Sequence, residues 1–364
     1  MRNKIQKQAL DKIKLFNYEG IIDVAPRVGK SKIAIDAMKT LKKKVLITAP
    51  FNSILDSWQA EFQKWGVNNP PDVINQRSLE KTNLENYDLI ISDEIHTLSD
   101  RQLETLAGNK VLGFSGSIGS RTKLKLSNNL GIKPIYTYSI DQAIEDGIIS
   151  DYNINIITCK LDNSIRYIPA GNKTKQFKVT EYNNYAYLTA QFDRFRQAGK
   201  ENAKFSFASK RANLIYKSNT KIQACKTLLK TLSRALIFTA RTEVADLLGD
   251  KAYHSKVKEN NLEDFINGDI DKLAVCEMSS MGITIPNLKV GVFHQMRSSE
   301  ESAIQKVLRM CNWEDGETAQ IYIFMYENTQ DEYWVYKAIE PFSKDKTNFL
   351  TLKQFANEIK RQCN

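Results

Sequence analysis

The chain has 364 residues, enough for two domains, and 42% hydrophobic with 26% charged residues is the composition of an ordinary soluble globular protein. Three histidines and five scattered cysteines (Cys159, Cys225, Cys276, Cys311, Cys363) argue against a zinc site and leave reduced thiols as the expectation; no apolar run reaches membrane-spanning length, and Met1 to Phe16 alternates charges with single apolar residues, unlike a secretory leader. The net charge of +10 is uneven: residues 151–230 hold 15 Lys+Arg against 5 Asp+Glu while the remainder is formally neutral, which marks that segment as a polyanion-binding surface.

In chain order, the first half reads as alternating strands and helices. Apolar runs at Gly20–Val24, Lys44–Thr48, Tyr87–Ser92 and Lys110–Phe114 are candidate strands, separated by helical patterns such as Lys32–Leu41 and Ser53–Trp65. Such alternation predicts a parallel sheet with helices on both faces. Between the first strand and helix lies Val24-Ala25-Pro26-Arg27-Val28-Gly29-Lys30-Ser31. Strand, loop, Gly-Lys-Ser and helix form a nucleotide-phosphate cradle, in which turn amides and the helix N-terminus face the phosphates. Lys30 is placed to reach the β- and γ-phosphates and Ser31 to hold Mg²⁺. The loop departs from G-x-x-x-x-G-K-S/T, with Val24 at the first glycine and Arg27 inside the turn. After the third strand comes Asp93-Glu94-Ile95-His96. An acidic pair there suits Mg²⁺ binding by Asp93 and polarisation of a water by Glu94.

Ser139-Ile140-Asp141-Gln142 is a capping-box signal for a short helix ending near Gly147, and Asp151–Thr158 alternates like a strand that begins the link to a second domain. Residues 180–230 read as long helices interrupted near Gly199 and carry many Phe and Tyr, most of them expected in helix cores. Strand–helix alternation then resumes: strands at Ala235–Thr239, Asp271–Cys276, Lys289–His294 and Gln320–Met325, and helices through Leu248, at Ser298–Met310 and at Asp331–Ile339. Thr351-Leu352-Lys353-Gln354 opens a terminal helix.

These segments, in this order, resemble the superfamily-2 helicases and translocases, specifically DEAH-type phage DNA helicases of the UvsW kind and more distantly the Swi/Snf-type translocases. The resemblance runs over most of residues 2–328. Arg2 to Leu10 is similar to the family's opening segment, where Gln6 would recognise adenine; Ala25–Ser31 is similar to its phosphate loop. Thr48-Ala49-Pro50, with Trp58 and Trp65 behind it, resembles a segment touching the nucleic-acid backbone, although both tryptophans are expected in the core. Ser115-Gly116-Ser117 matches the hydroxyl motif linking ATP and nucleic-acid sites. Leu236 to Thr239, Tyr253-His254-Ser255 and Met281 to Leu288 resemble second-half segments, with Gly282 near the nucleotide and Thr284 where the family has Asp. Ile304 to Asn312 resembles Q-x-x-G-R-x-x-R: Gln305 and Arg309 match, Leu308 replaces Gly, and Asn312 replaces the last Arg.

The resemblance implies an α/β fold of two RecA-like lobes with parallel sheets, joined by a basic helical insertion. Its divisions are 1–150 (ATP-binding lobe), 151–230 (linker strand and insertion), 231–340 (second lobe) and 341–364 (C-terminal helix). It implies ATP with Mg²⁺, held by Gln6, Arg27, Val28, Gly29, Lys30, Ser31 and Gly282, and catalysis by Lys30, Asp93, Glu94, Gln305 and Arg309. Nucleic-acid contacts are expected from Thr48, Pro50, Ser115, Ser117 and Thr239. The insertion's Arg194, Arg196, Lys200, Lys204, Lys210 and Arg211 are expected to act as a phosphate clamp. The implied activity is an ATP-dependent DNA helicase or translocase acting on branched or duplex DNA, working as a monomer on DNA in preference to RNA, in a bacterial or phage-infected cytoplasm. Two other readings stay open: an ATP-gated nucleic-acid-binding module with weak or no hydrolysis, and the motor subunit of a restriction system.

Overall fold

A computed structural model describes residues 1–116, 118–171, 174–257, 259–276, 285, 288–296 and 318–362. The first sheet is built from β1 (Gly20–Val24), β2 (Val45–Ala49), β3 (Asp72–Asn75), β4 (Leu89–Ser92), β5 (Val111–Ser115) and β6 (Pro134–Tyr138), in the order β3-β2-β4-β5-β1-β6. All neighbours pair in parallel. The four inner strands are buried along their whole length, as the continuous apolar runs require when helices cover both faces. Those helices are α1 (Arg2–Leu15), α2 (Lys30–Leu41), α3 (Asn52–Lys64), α4 (Asp100–Leu106), α5 (Ser120–Leu130) and α6 (Ile140–Glu145). Ser139 caps α6 in a full capping box with Gln142.

The chain then enters a second, seven-stranded parallel sheet through β7 (Asp151–Cys159). Expected as a link, this strand lies inside the sheet between two later strands, its nine residues alternating in burial and its centre fully covered. An excursion follows: an antiparallel ribbon, β8 (Ile168–Gly171) and β9 (Gln176–Val179), and a helical hairpin, α7 (Glu181–Gln197) and α8 (Glu201–Lys217). Gly199, at φ +64°, takes the left-handed turn between the two helices. α9 (Asn219–Leu229), β10 (Ala235–Thr239), α10 (Thr242–Leu248), β11 (Lys251–Tyr253), α11 (Asn261–Asn267), β12 (Lys272–Cys276), β13 (Val290–Phe293), β14 (Thr318–Tyr326), the helix Gln330–Ile339 and β15 (Thr347–Thr351) complete the lobe. The strand order is β11-β12-β10-β13-β14-β7-β15. β15 corrects the expectation of a purely helical C-terminal segment: the strand precedes the terminal helix Leu352–Gln362, and Thr351 still caps that helix through Gln354.

The base of the hairpin is fastened by a buried polar network. The Glu181 carboxylate, at the start of α7, accepts from Tyr167 Oη (2.6 Å), Ser218 Oγ (2.8 Å) and the Asp162 amide (3.0 Å). Ser218 also meets Tyr326 Oη. Beside it, Lys221 Nζ and Asp331 Oδ2 pair at 2.5 Å with neither side chain exposed, and Asp331 accepts the Tyr326 amide. Opposite charge and several hydrogen bonds let these groups stay in the interior, although Asp331 Oδ1 makes no hydrogen bond. The lobes also touch directly: Ser120 N donates to Glu340 Oε1 (3.4 Å) and Arg121 Nη1 to Tyr333 Oη (3.1 Å).

Candidate functional site

Strand order sets the first half of the site. β1 and β4 flank β5, so the loops leaving their C-terminal ends face each other roughly 10 Å apart, two strand spacings. The loop after β1 turns at Arg27 (φ +65°) and Gly29 (φ +96°), then opens α2 at Lys30. Only glycine takes the Gly29 conformation without strain, and a Cβ there would stand 2.5 Å from Gln6 Nε2. Gln6, on α1, donates to the Val28 carbonyl (2.8 Å), so the residue expected at adenine also holds the loop in shape.

The loop after β4 carries the acids. Glu94 has φ +49°, a left-handed conformation uncommon for a side-chain-bearing residue, and the kink aims its carboxylate back across β5. Lys30 Nζ and Glu94 Oε1 meet at 2.7 Å, with the side chains only 12% and 14% exposed. Asp93 Oδ1 accepts the Glu94 amide (3.0 Å) and Oδ2 accepts Trp58 Nε1 (3.2 Å). Trp58 is thus a core residue, as expected, and also a support for the acid. Gln76 Nε2 binds the Asp93 carbonyl, and Thr97 Oγ1 donates to Gln76 Oε1. His96 Nδ1 lies 2.8 Å from Ser115 Oγ and 3.5 Å from Glu94 Oε2. Ile95 is fully buried and occupies the space over Gly113, where a Cβ would come within 2.4 Å of its Cδ1. The glycine on β5 makes room for this isoleucine.

Asp23, on β1, is a further acid that the sequence reading did not single out. It is buried and pairs with Lys123 of α5 at 3.2 Å. Burial raises its carboxyl above the usual range, opposed by Lys123 and, more weakly, Lys30.

The second lobe presents a cavity of about 760 Å³ at the C-terminal ends of β10, β11 and β12, lined by Asn213, Lys217, Arg241, Thr242, His254 and Lys256 among others. Arg241 Nε donates to Asn213 Oδ1 (2.8 Å), Nη2 donates to the same oxygen, and the guanidinium lies 5.2 Å from the Tyr216 ring centroid. His254 donates from Nε2 to Asp246 (2.9 Å) and accepts the Lys256 amide at Nδ1 (3.3 Å). Arg241, Asn213 and Lys256 carried no sequence signal, since residues far apart in the chain meet here only through the fold.

The structure brings Gln6, Arg27, Val28, Gly29, Lys30, Ser31, Asp93 and Glu94 to one edge of the first sheet. Thr48, Ser115 and Thr239 sit at strand ends with their side chains buried. The Thr48 carbonyl accepts the Asp93 amide, Ser115 engages His96, and Thr239 Oγ1 donates to the Arg241 and Val275 carbonyls. Pro50 is half-exposed and accepts from Asn75. In the hairpin, Arg211 packs 4.5 Å from the Phe192 ring centroid and donates to Gln330, and Lys204 pairs with Glu201 at 2.5 Å. Arg196 pairs with Asp193 (3.0 Å), whereas Arg194, Lys200 and Lys210 are exposed. Ser117, Gly282, Thr284, Gln305, Arg309 and Asn312 lie outside the described residues.

Two parallel sheets with a phosphate-type loop on the first define a protein of two RecA-like lobes. Residues 1–119 match the family model described as the type III restriction enzyme, res subunit. No curated protein matches the sequence. Among solved structures, S. cerevisiae Dbp5 bound to RNA and ADP BeF3 superposes with a TM-score of 0.55 at 12% identity, covering 99% of this chain and 92% of that one. The ATP-dependent type ISP restriction-modification enzyme LlaBIII bound to DNA gives 0.58 at 13% identity over 98% of this chain and 32% of that chain. The fragment of a putative HsdR subunit of a type I restriction enzyme from Vibrio vulnificus gives 0.56 at 15% identity, covering 96% and 69%. At such identities the likeness is one of fold.

Proposed function

We propose that the protein is an ATP-driven motor on nucleic acid, a DNA translocase or helicase of the superfamily-2 kind. The observation that carries this reading is the Lys30–Glu94 pair, which joins the phosphate loop to the acidic turn across β5 in a shielded position. The amides opening α2 and the Lys30 ammonium bind the triphosphate. Ser31 and Asp93 offer the hard oxygen donors that suit Mg²⁺, which is commonly held by one or two protein oxygens together with substrate phosphates. When bound, that ion neutralises charge developing on the phosphoryl oxygens. Glu94 takes the proton from the attacking water, and His96 relays its position to Ser115. Gln305 and Arg309 are assigned by resemblance to the opposing lobe. A ligand that binds only the closed arrangement shifts the lobes toward it, so each turnover opens and closes the grip on the track. The cationic cavity of the second lobe, with Lys217, Arg241 and Lys256, takes the backbone phosphates.

A DEAH-type, UvsW-like role on branched DNA in replication, recombination or repair is the finer form of this reading, with DNA preferred over RNA. ATPase rates across single-stranded, duplex, forked and four-way DNA with an RNA control test it: highest rates on forked and four-way DNA support it, and equal or higher rates on RNA refute the DNA assignment. A second reading, the motor of a restriction system, is favoured by the match over residues 1–119 and by two of the structural neighbours. Recovery of a nuclease subunit in stable complex with the tagged chain supports it; a motor active without a partner opposes it.

A further inference from the structure

The exposed face of α8 continues the second-lobe cavity. At 100° per residue, Asn202, Phe205, Ser206, Ser209, Asn213 and Lys217 fall on one side of this helix. Lys217 and Asn213 line the cavity, and the outer four residues are all exposed, Phe205 by 62%. Phe207 and Arg211 fall on the opposite side, turned toward α7 and stacked there on Phe195 and Phe192. The hydrogen bonds from Arg241 to Asn213 lock the stripe to the strand-end loop after β10, so cavity and helix face form one surface.

We infer that this face is a track for a single strand of nucleic acid leaving the second lobe. The inference rests on the motor reading above. From Lys217 to Asn202 the stripe runs about 22 Å at the rise of an α-helix, room for several nucleotides of an extended strand. Its chemistry fits that occupant. The cations Lys217, Arg241 and Lys256 stand at its inner half, opposed there by Glu243, which pairs with Lys217, and Asp246, which binds His254. The small Ser206 and Ser209 let a backbone approach closely and offer hydroxyl donors to phosphate oxygens. Phe205 presents an exposed ring with Lys204 Nζ 4.8 Å from its centroid, a cation beside a stacking surface. Such a ring stacks an unpaired base, whereas duplex bases already stack on each other.

The test is fluorescence anisotropy with labelled oligothymidylates of about 8 and about 24 nucleotides, bracketing a one-lobe site and an extended one. Phe205→Ala and the pair Ser206→Glu with Ser209→Glu change only exposed side chains, and unchanged circular dichroism confirms that the variants fold. Expected is a loss of about tenfold in affinity for the long strand, with the short strand bound as by wild type, while Lys256→Ala weakens both. Wild-type affinity of both α8 variants for the long strand overturns the track and leaves the motor standing. Failure of the wild-type protein to bind either strand also overturns the track, whereas the motor reading fails separately, if the chain turns over no ATP with any DNA.

Discussion

Replacing Glu94 by Gln should do two opposite things at once. Without nucleotide, Lys30 is engaged by Glu94 at 2.7 Å, and both side chains are largely shielded from water. A triphosphate that recruits Lys30 must displace that carboxylate. A hydrogen bond between charged groups is worth about 1.5–3 kcal/mol, and the residual attraction Lys30 retains toward Glu94 after displacement reduces the difference to about 1–1.5 kcal/mol. At 1.4 kcal/mol per factor of ten, Glu94→Gln should bind ATP about five- to tenfold more tightly. Removing a negative charge beside the triphosphate acts in the same direction. The same substitution removes the base, a loss of about 10²–10⁴ in the hydrolytic step. Equilibrium titration with a fluorescent ATP analogue reads the first effect, and single-turnover hydrolysis in the presence of DNA reads the second. Unchanged or weaker nucleotide binding refutes the competition between Glu94 and phosphate for Lys30; undiminished hydrolysis refutes Glu94 as the base.

Three further substitutions probe the scaffold. Gly113→Ala drives a Cβ into Ile95 Cδ1, so a loss of about 1–3 kcal/mol is expected in urea unfolding, and adding Ile95→Ala should restore part of it; a double variant less stable than either single one speaks against the fitted pair. Lys221→Met leaves Asp331 buried without its cation, and a loss of about 3–5 kcal/mol should appear as a lower urea midpoint; an unshifted midpoint shows that the network at the hairpin base is not needed. Asp23 is raised by burial, so the folded chain holds its proton more tightly than the unfolded chain, and wild type loses stability as pH rises above the unfolded value of 3.8. Asp23→Asn avoids this loss, so the variant should be the more stable at pH 7, by a margin that shrinks as pH falls toward 4. A variant less stable at pH 7 shows that the Lys123 pair outweighs the burial.

The interior of both sheets was legible in the sequence because a parallel strand covered on both faces must be a continuous apolar run, as in Gly20–Val24 and Ala235–Thr239. In the two large sheets the strands that escaped, β3, β6, β11 and β15, are the edge strands. Most of their residues are half-exposed or exposed, so no continuous apolar run announces them. Ribbon β8–β9 escaped for the same reason, with exposed residues on both strands. At the site, Lys30 and Glu94 were readable because each belongs to a local motif. The support of Asp93 by Trp58, 35 residues away, was not, and neither was the Arg241–Asn213 link across 28. The clamp residue Arg211 was chosen for charge alone. Its spacing with Phe207 and Leu214, four and three residues away, places it on the helix side that packs on α7.

The sharpest measurement is steady-state ATP turnover by wild-type protein and Lys30→Ala, each with and without DNA. A motor whose two lobes close on ATP should hydrolyse slowly alone and at least tenfold faster on DNA, with no activity in the variant. No turnover by the wild-type chain with any DNA, or equal turnover by Lys30→Ala, contradicts it.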